Sequence, residues 1–175
     1  MRDLELDDES FDMILCFGGA VSYAYDRYQD AVSDLARIAK PGAPILVSVM
    51  TLAGSMRLVG ILDAVGFLRD WADHLPAVSW KVDDIVLTRL GSPERHLPLA
   101  LFDAPGLERA FGMAGCAVER YAASNPVTIA YQQFDKIPES PLAEQRLIEL
   151  ELALCERPGL RDTGEHLIAV TRKHA

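Results

Sequence analysis

The chain has 175 residues, of which 50% are hydrophobic and 25% charged, with a formal net charge of -9 and an isoelectric point of about 4.8. This length and apolar content suit one domain with a sizeable core, over residues 1–175. The acidic balance argues against a nucleic acid or an anionic membrane as partner, because either would be bound through its phosphates. It favours a small, neutral or cationic partner; an acidic surface that serves solubility alone is the open alternative.

The three cysteines, Cys16, Cys116 and Cys155, lie far apart in apolar runs and show no metal-ligand spacing. This usage is typical of a reducing compartment. The amino terminus lacks the basic and apolar regions of a signal peptide, and no apolar run is long enough to cross a bilayer. We therefore expect a cytoplasmic protein.

The first predicted strand is the apolar run from Phe11 to Phe17, and such continuous runs are typical of strands buried on both faces of a parallel sheet. Two glycines follow it, at residues 18–19. An amphipathic helix is predicted over residues 26–40, and a second apolar strand over residues 44–50. The order of strand, helix and strand predicts that the two strands are parallel neighbours.

The second half of the chain repeats this alternation. Asp103 is predicted to cap a helix, and the strand Ala117–Ala123 follows it. A further helix begins at Ser140, and the last strand is predicted over residues 165–171. The stretch Thr51–Leu101 is the least regular, and within it Met56–His96 is interpreted as a helix that a hairpin can follow.

The segment Asp3–Tyr23, which combines an acidic loop, a buried strand and a glycine turn that opens a helix, resembles the second half of class I S-adenosylmethionine-dependent methyltransferases, as does Leu35–Val49. The resemblance implies an α/β, three-layer Rossmann-like fold with about four main strands here. It also implies that the last strand is antiparallel and lies between Pro44–Met50 and Ala117–Ala123.

In that family three earlier strands precede this segment, and the first of them carries the glycine-rich loop that holds the cofactor. No G-x-G-x-G-like turn occurs in this chain. We therefore expect a single partial methyltransferase domain, truncated at its N-terminus.

The resemblance implies S-adenosylmethionine as cofactor and assigns residues to it by position. The residues that leave the first strand contact the methionine part in the family, mostly through backbone atoms; here they are Cys16, Phe17, Gly18 and Gly19. Met1 and Arg2 follow the position at which family members read the adenine. A glycine pair taken alone also suits a plain structural turn.

Ser22 and Tyr23 lie just beyond the turn and are predicted to bind the substrate, whereas Tyr28 is expected to pack. Residues 56–96 are interpreted as a cap over the substrate; an ordinary helix and loop packed on the sheet is the open alternative. No catalytic residue is assigned, because positioning and desolvation can supply much of the acceleration of a methyl transfer.

Two other groups of polar residues are given structural interpretations. Asp7, Asp8 and Glu9 resemble a metal site but precede the strand in a loop, so we interpret them as solvated and expect no metal. His166, on the last strand, is expected to be packed or hydrogen-bonded.

Two functions fit the sequence. In the first, the complete protein transfers a methyl group to a small-molecule acceptor, while this chain alone binds S-adenosylmethionine weakly or not at all. In the second, the chain is a non-catalytic module that self-associates as a homodimer through the exposed sheet edge at residues 12–17.

Overall fold

The computed structural model describes residues 4–62, 86–90, 97–128 and 140–174. In chain order the elements are β1 (Ile14–Cys16), α1 (Ala20–Tyr23), α2 (Tyr28–Ile38), β2 (Pro44–Met50), α3 (Leu52–Leu62), β3 (Val86–Leu90), β4 (Leu97–Leu101), α4 (Ala104–Met113), β5 (Cys116–Ser124), α5 (Pro141–Leu154) and β6 (His166–Lys173). A short 3-10 turn, Tyr25–Arg27, joins α1 to α2.

Four strands form a mixed sheet in the order β1-β2-β6-β5. Strand β1 pairs with β2 in parallel, and Ile14 lies beside Ile45. Strand β6 is antiparallel to both of its neighbours, β2 and β5. The predicted α/β fold class, with an antiparallel last strand between the second and third strands, is confirmed.

Helices α2 and α4 cover one face of this sheet. They lie side by side, and Gln29 Nε2 on α2 donates a hydrogen bond to the carbonyl oxygen of Ala110 on α4 at 3.0 Å. The cap predicted for the second of them is present, since Asp103 Oδ1 accepts from the Gly106 N–H at 2.7 Å. The buried residues that α2 contributes to the core are Ala31, Val32, Leu35, Ala36 and Ile38.

Alternate residues of the strands point to the two faces of the sheet. Ile14 and Cys16 of β1 are buried in the core beneath the helices. On the opposite face Leu15 is 61% exposed, and it is flanked by Met13 at 55% and Phe17 at 49%. The expectation that this strand is buried on both faces is therefore wrong for the described residues, because α2 and α4 both pack on the other side.

Strands β3 and β4 form a separate antiparallel pair in which Val86 lies beside Leu101. Of this pair, β3 lies inside the segment 56–96 and β4 begins just beyond it. A bridge between Thr51 and Phe102 joins the end of β4 to the end of β2. Residues 63–85 and 91–96 lie outside the described residues, so the cap over the substrate stays a prediction.

Helix α5 differs from the other long helices because none of its residues is buried. Cys155, the residue that follows it, accepts a hydrogen bond through its carbonyl oxygen from the Ala123 N–H of β5 at 2.7 Å. Leu152 is 70% exposed. None of the described helices is long and apolar enough to span a membrane.

Candidate functional site

The site begins where β1 ends, at the carboxyl edge of the sheet. Gly18 and Gly19 both adopt a φ of 74°, in the left-handed region that favours glycine. The Gly18 N–H donates a hydrogen bond to Ser48 Oγ on β2 at 3.0 Å. This bond fixes the turn against the neighbouring strand and directs the chain into α1.

The two glycines have different surroundings. A Cβ added to Gly18 would meet no atom within 4 Å, so its backbone faces open space. A Cβ added to Gly19 would lie 3.3 Å from Met50 Cγ, 3.4 Å from His166 Cε1 and 3.5 Å from Tyr23 Cε2. The turn therefore has an open side, suited to ligand approach, and a side closed by three side chains.

Tyr23, predicted to bind substrate, ends α1 and is 49% exposed beside the Gly19 turn. Its placement at the carboxyl edge leaves the substrate role open to it. Tyr28 instead packs edge-on against Phe102, with ring centroids 5.6 Å apart and an interplanar angle of 88°. Packing was the expectation for that residue.

Ser22, the other residue predicted to bind substrate, is fully buried. Its Oγ accepts a hydrogen bond from the Met50 N–H at 2.8 Å, which ties α1 to the last residue of β2. The hydroxyl is thus engaged in the interior, and contact of Ser22 with the substrate stays a prediction.

Cys16 and Phe17 lead into the turn from β1. The Cys16 side chain is buried, and this burial raises the pKa of its thiol. A thiol held protonated is a poor nucleophile, and the cofactor contact of this residue stays a prediction. Met1 and Arg2, also predicted to bind cofactor, lie outside the described residues.

The acidic loop before β1 is held by ion pairs. Asp8 Oδ1 lies 2.7 Å from Arg37 Nη1, and Glu9 Oε1 lies 3.2 Å from Lys173 Nζ. Arg37 also donates to the carbonyl oxygen of Leu6 at 2.7 Å. Among the described residues no group of three or more His, Cys, Asp or Glu side chains is placed to hold a metal ion.

The placement of His166 beside the Gly19 turn was missed by reasoning from the sequence. As the first residue of an antiparallel strand, it lies at the same edge of the sheet as the last residue of β2, Met50. The signal was present in the predicted topology, since an inserted antiparallel strand must begin at the carboxyl edge of its parallel neighbours.

An apolar groove of about 460 Å³ runs along β1. It is lined by residues from both faces of the strand and by α2, among them Phe11, Met13, Ile14, Leu15, Leu35 and Ile38. Among the described residues β1 pairs with β2 alone. The groove therefore follows the unpaired edge of the sheet.

No sequence-family profile matches the chain, and no curated protein does. Solved structures do. A Haloferax volcanii complex of the Trm112 methyltransferase activator with its methyltransferase matches with a TM-score of 0.53 at 16% identity, over 99% of this chain and 58% of that one. An S-adenosylmethionine-dependent methyltransferase of Methanosarcina mazei matches with a TM-score of 0.52 at 13% identity, over 98% of this chain and 63% of that one.

A third match has a TM-score of 0.51 at 13% identity, over 98% of this chain and 48% of that one. It is the 1,6-didemethyltoxoflavin-N1-methyltransferase of Burkholderia thailandensis, with bound 1,6-didemethyltoxoflavin and S-adenosylhomocysteine. The chain has the fold of class I S-adenosylmethionine-dependent methyltransferases. This methyltransferase-like chain spans roughly half to two thirds of the length of these structures.

Proposed function

We propose that this chain forms part of an S-adenosylmethionine-dependent methyltransferase that acts on a small-molecule acceptor. The observation that carries the proposal is the left-handed Gly18–Gly19 turn at the carboxyl end of β1, open on the Gly18 side and opening a helix. In open α/β sheets, ligands bind outside the carboxyl ends of the strands. The fold of the matched structures supports the same assignment.

The cofactor residues follow from this placement. The backbone from Cys16 to Gly19 would face the methionine part, and the open space above Gly18 suits such an approach. When bound, the cofactor supplies an electrophilic methyl group on a sulfonium. We assign Met1 and Arg2 to the adenine side by resemblance, and Tyr23 to the acceptor.

The acceptor class rests on charge and on one matched structure. A net charge of -9 disfavours an anionic polymer as acceptor. The Burkholderia thailandensis enzyme holds a small molecule in its site.

The described cysteines form no disulfide, which supports a cytoplasmic protein.

Calorimetry with S-adenosylmethionine tests the proposal on two proteins: this chain, and the product of the reading frame extended upstream of Met1. The chain alone is expected to bind weakly or not at all, because its sequence holds no G-x-G-x-G-like turn. The extended protein is expected to bind with micromolar affinity. Absence of cofactor binding by both proteins would overturn the proposal.

A matched pair of variants locates the site in the extended protein. Gly18 and Gly42 both have left-handed φ values, of 74° and 76°, and both have open space where a Cβ would lie. Asparagine tolerates this conformation. Gly18→Asn is expected to weaken cofactor binding at least tenfold by filling the open side of the turn, whereas Gly42→Asn, at the opposite edge of the sheet, is expected to leave it unchanged.

A second candidate function is favoured by the exposed side chains of β1. An apolar strand with one unpaired edge is a template for pairing with another chain. Leu15 and its neighbours leave such a surface beside the groove. In this alternative the chain is a non-catalytic module that dimerises through residues 12–17, and sedimentation over a range of concentrations would reveal the dimer.

A further inference from the structure

The antiparallel insertion of β6 brings a titratable side chain to the Gly18–Gly19 turn. His166 begins β6 and pairs in register with Met50 on one side and with Ser124 on the other. All three residues lie at the edge of the sheet where β1 ends. The other described histidine, His174, follows the far end of the same strand, about 25 Å away at the usual rise per residue.

The imidazole is placed against the turn. His166 Cε1 lies 3.4 Å from the position that a Cβ on Gly19 would occupy. Because Cε1 is the ring carbon between the two nitrogens, both nitrogens flank this contact. Within the described part of the chain, the imidazole has no hydrogen-bond or ion-pair partner.

Apolar groups complete the surroundings of this ring. Tyr23 offers a half-exposed aromatic ring whose Cε2 lies 3.5 Å from the same position, and Met50 offers its Cγ at 3.3 Å. Small-molecule sites combine such apolar walls with a few polar groups that fix orientation. Aromatic rings and thioethers pack well against flat apolar faces.

We propose that His166 binds the methyl acceptor, and that this acceptor is a planar molecule with an O–H or N–H group. The imidazole forms a hydrogen bond with that group, since a neutral imidazole has one donor and one acceptor nitrogen. The plane of the molecule packs against Tyr23. This inference rests on the proposed function, because it names the acceptor side of the same site.

The probe is phenol, a planar O–H donor that is neutral at neutral pH, titrated into this chain. Nuclear magnetic resonance follows the amide signals of Gly18 and Gly19. Saturable shifts there are expected. His166→Phe keeps a ring beside Gly19 but removes both nitrogens, and it is expected to weaken binding at least tenfold, about 1.4 kcal/mol.

Two further variants serve as controls. His166→Gln keeps a hydrogen-bonding group and is expected to bind within about threefold of wild type. His174→Phe makes the same substitution at the other end of β6 and is expected to change nothing. Tyr23→Leu removes a half-exposed ring, so it tests the packing contact without opening the core.

Equal affinities of wild type and His166→Phe, or shifts that do not saturate, would overturn the inference. If His166→Phe does not fold, unchanged binding by Tyr23→Leu, or loss of binding in His174→Phe, would equally overturn the inference. The proposed function fails separately. Absence of cofactor binding by the extended protein would overturn it, whether or not phenol binds to this chain. Cofactor binding without phenol binding would overturn only the role of His166.

Discussion

Gly18 and Gly19 share one backbone conformation but have different neighbours, which makes them a natural comparison at the residue scale. Both have a φ of 74°, where a side chain strains the backbone. Only Gly19 is enclosed, by Met50, His166 and Tyr23. The two residues therefore separate the effect of backbone strain from the effect of crowding.

Alanine substitutions at these glycines are expected to destabilise the protein unequally. Gly18→Ala should lower the free energy of unfolding by about 1 kcal/mol, through backbone strain alone. Gly19→Ala should lower it by about 1 kcal/mol more, because its Cβ crowds two rings and the Met50 side chain. Urea unfolding of both variants measures the difference, and equal losses would contradict the described packing.

Ser22 provides a second prediction at this scale. Ser22→Ala leaves the buried Met50 N–H without its acceptor, so the free energy of unfolding should fall by about 1–3 kcal/mol. Ser10→Ala is the matched control, since Ser10 Oγ donates to the Asp7 carbonyl oxygen on the surface. That change should stay within about 0.5 kcal/mol. A small effect at Ser22 would mean that water or another group reaches Met50.

The sequence did not reveal that the Ser22 side chain points into the interior, and the reason is physical. Helix α1 has four residues, too few for hydrophobic periodicity to define a buried side. Its orientation comes instead from the hydrogen bond to Met50, which lies 28 residues away in the sequence. Tyr23, the next residue, points outward for the same reason.

At the scale of elements, the junction between α3 and the loop before β6 depends on two glycines in contact. A Cβ on Gly54 would collide with the carbonyl oxygen of Gly164 and lie 2.7 Å from its carbonyl carbon. Thr51 Oγ1 donates to that same oxygen and accepts from the Gly54 N–H. The close approach holds the start of α3 at the carboxyl edge, near His166.

Two glycines in helices are expected to respond to alanine in opposite directions. Gly112, exposed in α4, has no atom within 4 Å of an added Cβ, so Gly112→Ala should raise the free energy of unfolding by about 0.5–1 kcal/mol. Gly54→Ala gains the same propensity but meets backbone, and should lower it by about 3 kcal/mol or more. Thermal unfolding of both variants checks the signs. A stabilised Gly54→Ala would show that α3 is not packed on Gly164.

Element boundaries were predictable where local signals are strong. The strand predicted over residues 44–50 has those bounds in the structure, because its apolar run begins at Pro44 and ends where Thr51 bridges to Phe102. The strand predicted from Phe11 is shorter, since Phe11 makes only an isolated bridge to Ala39. The predicted strand was too long because the apolar run begins at Phe11, whereas a strand begins where its backbone pairs with a neighbouring strand.

At the scale of the whole molecule, the order of the strands could be predicted and the environment of β1 could not. The resemblance placed β6 between its neighbours, and the structure confirms this order. Burial of β1 depends on what covers its second face and its free edge. In the described residues those surfaces hold the exposed Leu15 and the apolar groove.

The exposed face of β1 allows a clean test of self-association. Ile14 is buried, so a lysine there would disrupt the core, but the Leu15 side chain points outward. Leu15→Lys adds a charge beside the free edge, and charged edge residues prevent strand pairing between chains. In sedimentation, wild type is expected to form dimers as its concentration rises, and Leu15→Lys is expected to remain a monomer.

Leu152→Lys, on α5, is the matched control because it makes the same change of charge at a similarly exposed leucine. It should dimerise as wild type does, since it lies away from β1 on a helix with no buried residue. Equal loss of dimers in both variants would point to net charge as the cause, and a dimer unaffected by either would place the contact elsewhere. A monomeric wild type at every concentration would remove the edge pairing and leave the methyltransferase assignment as the only candidate.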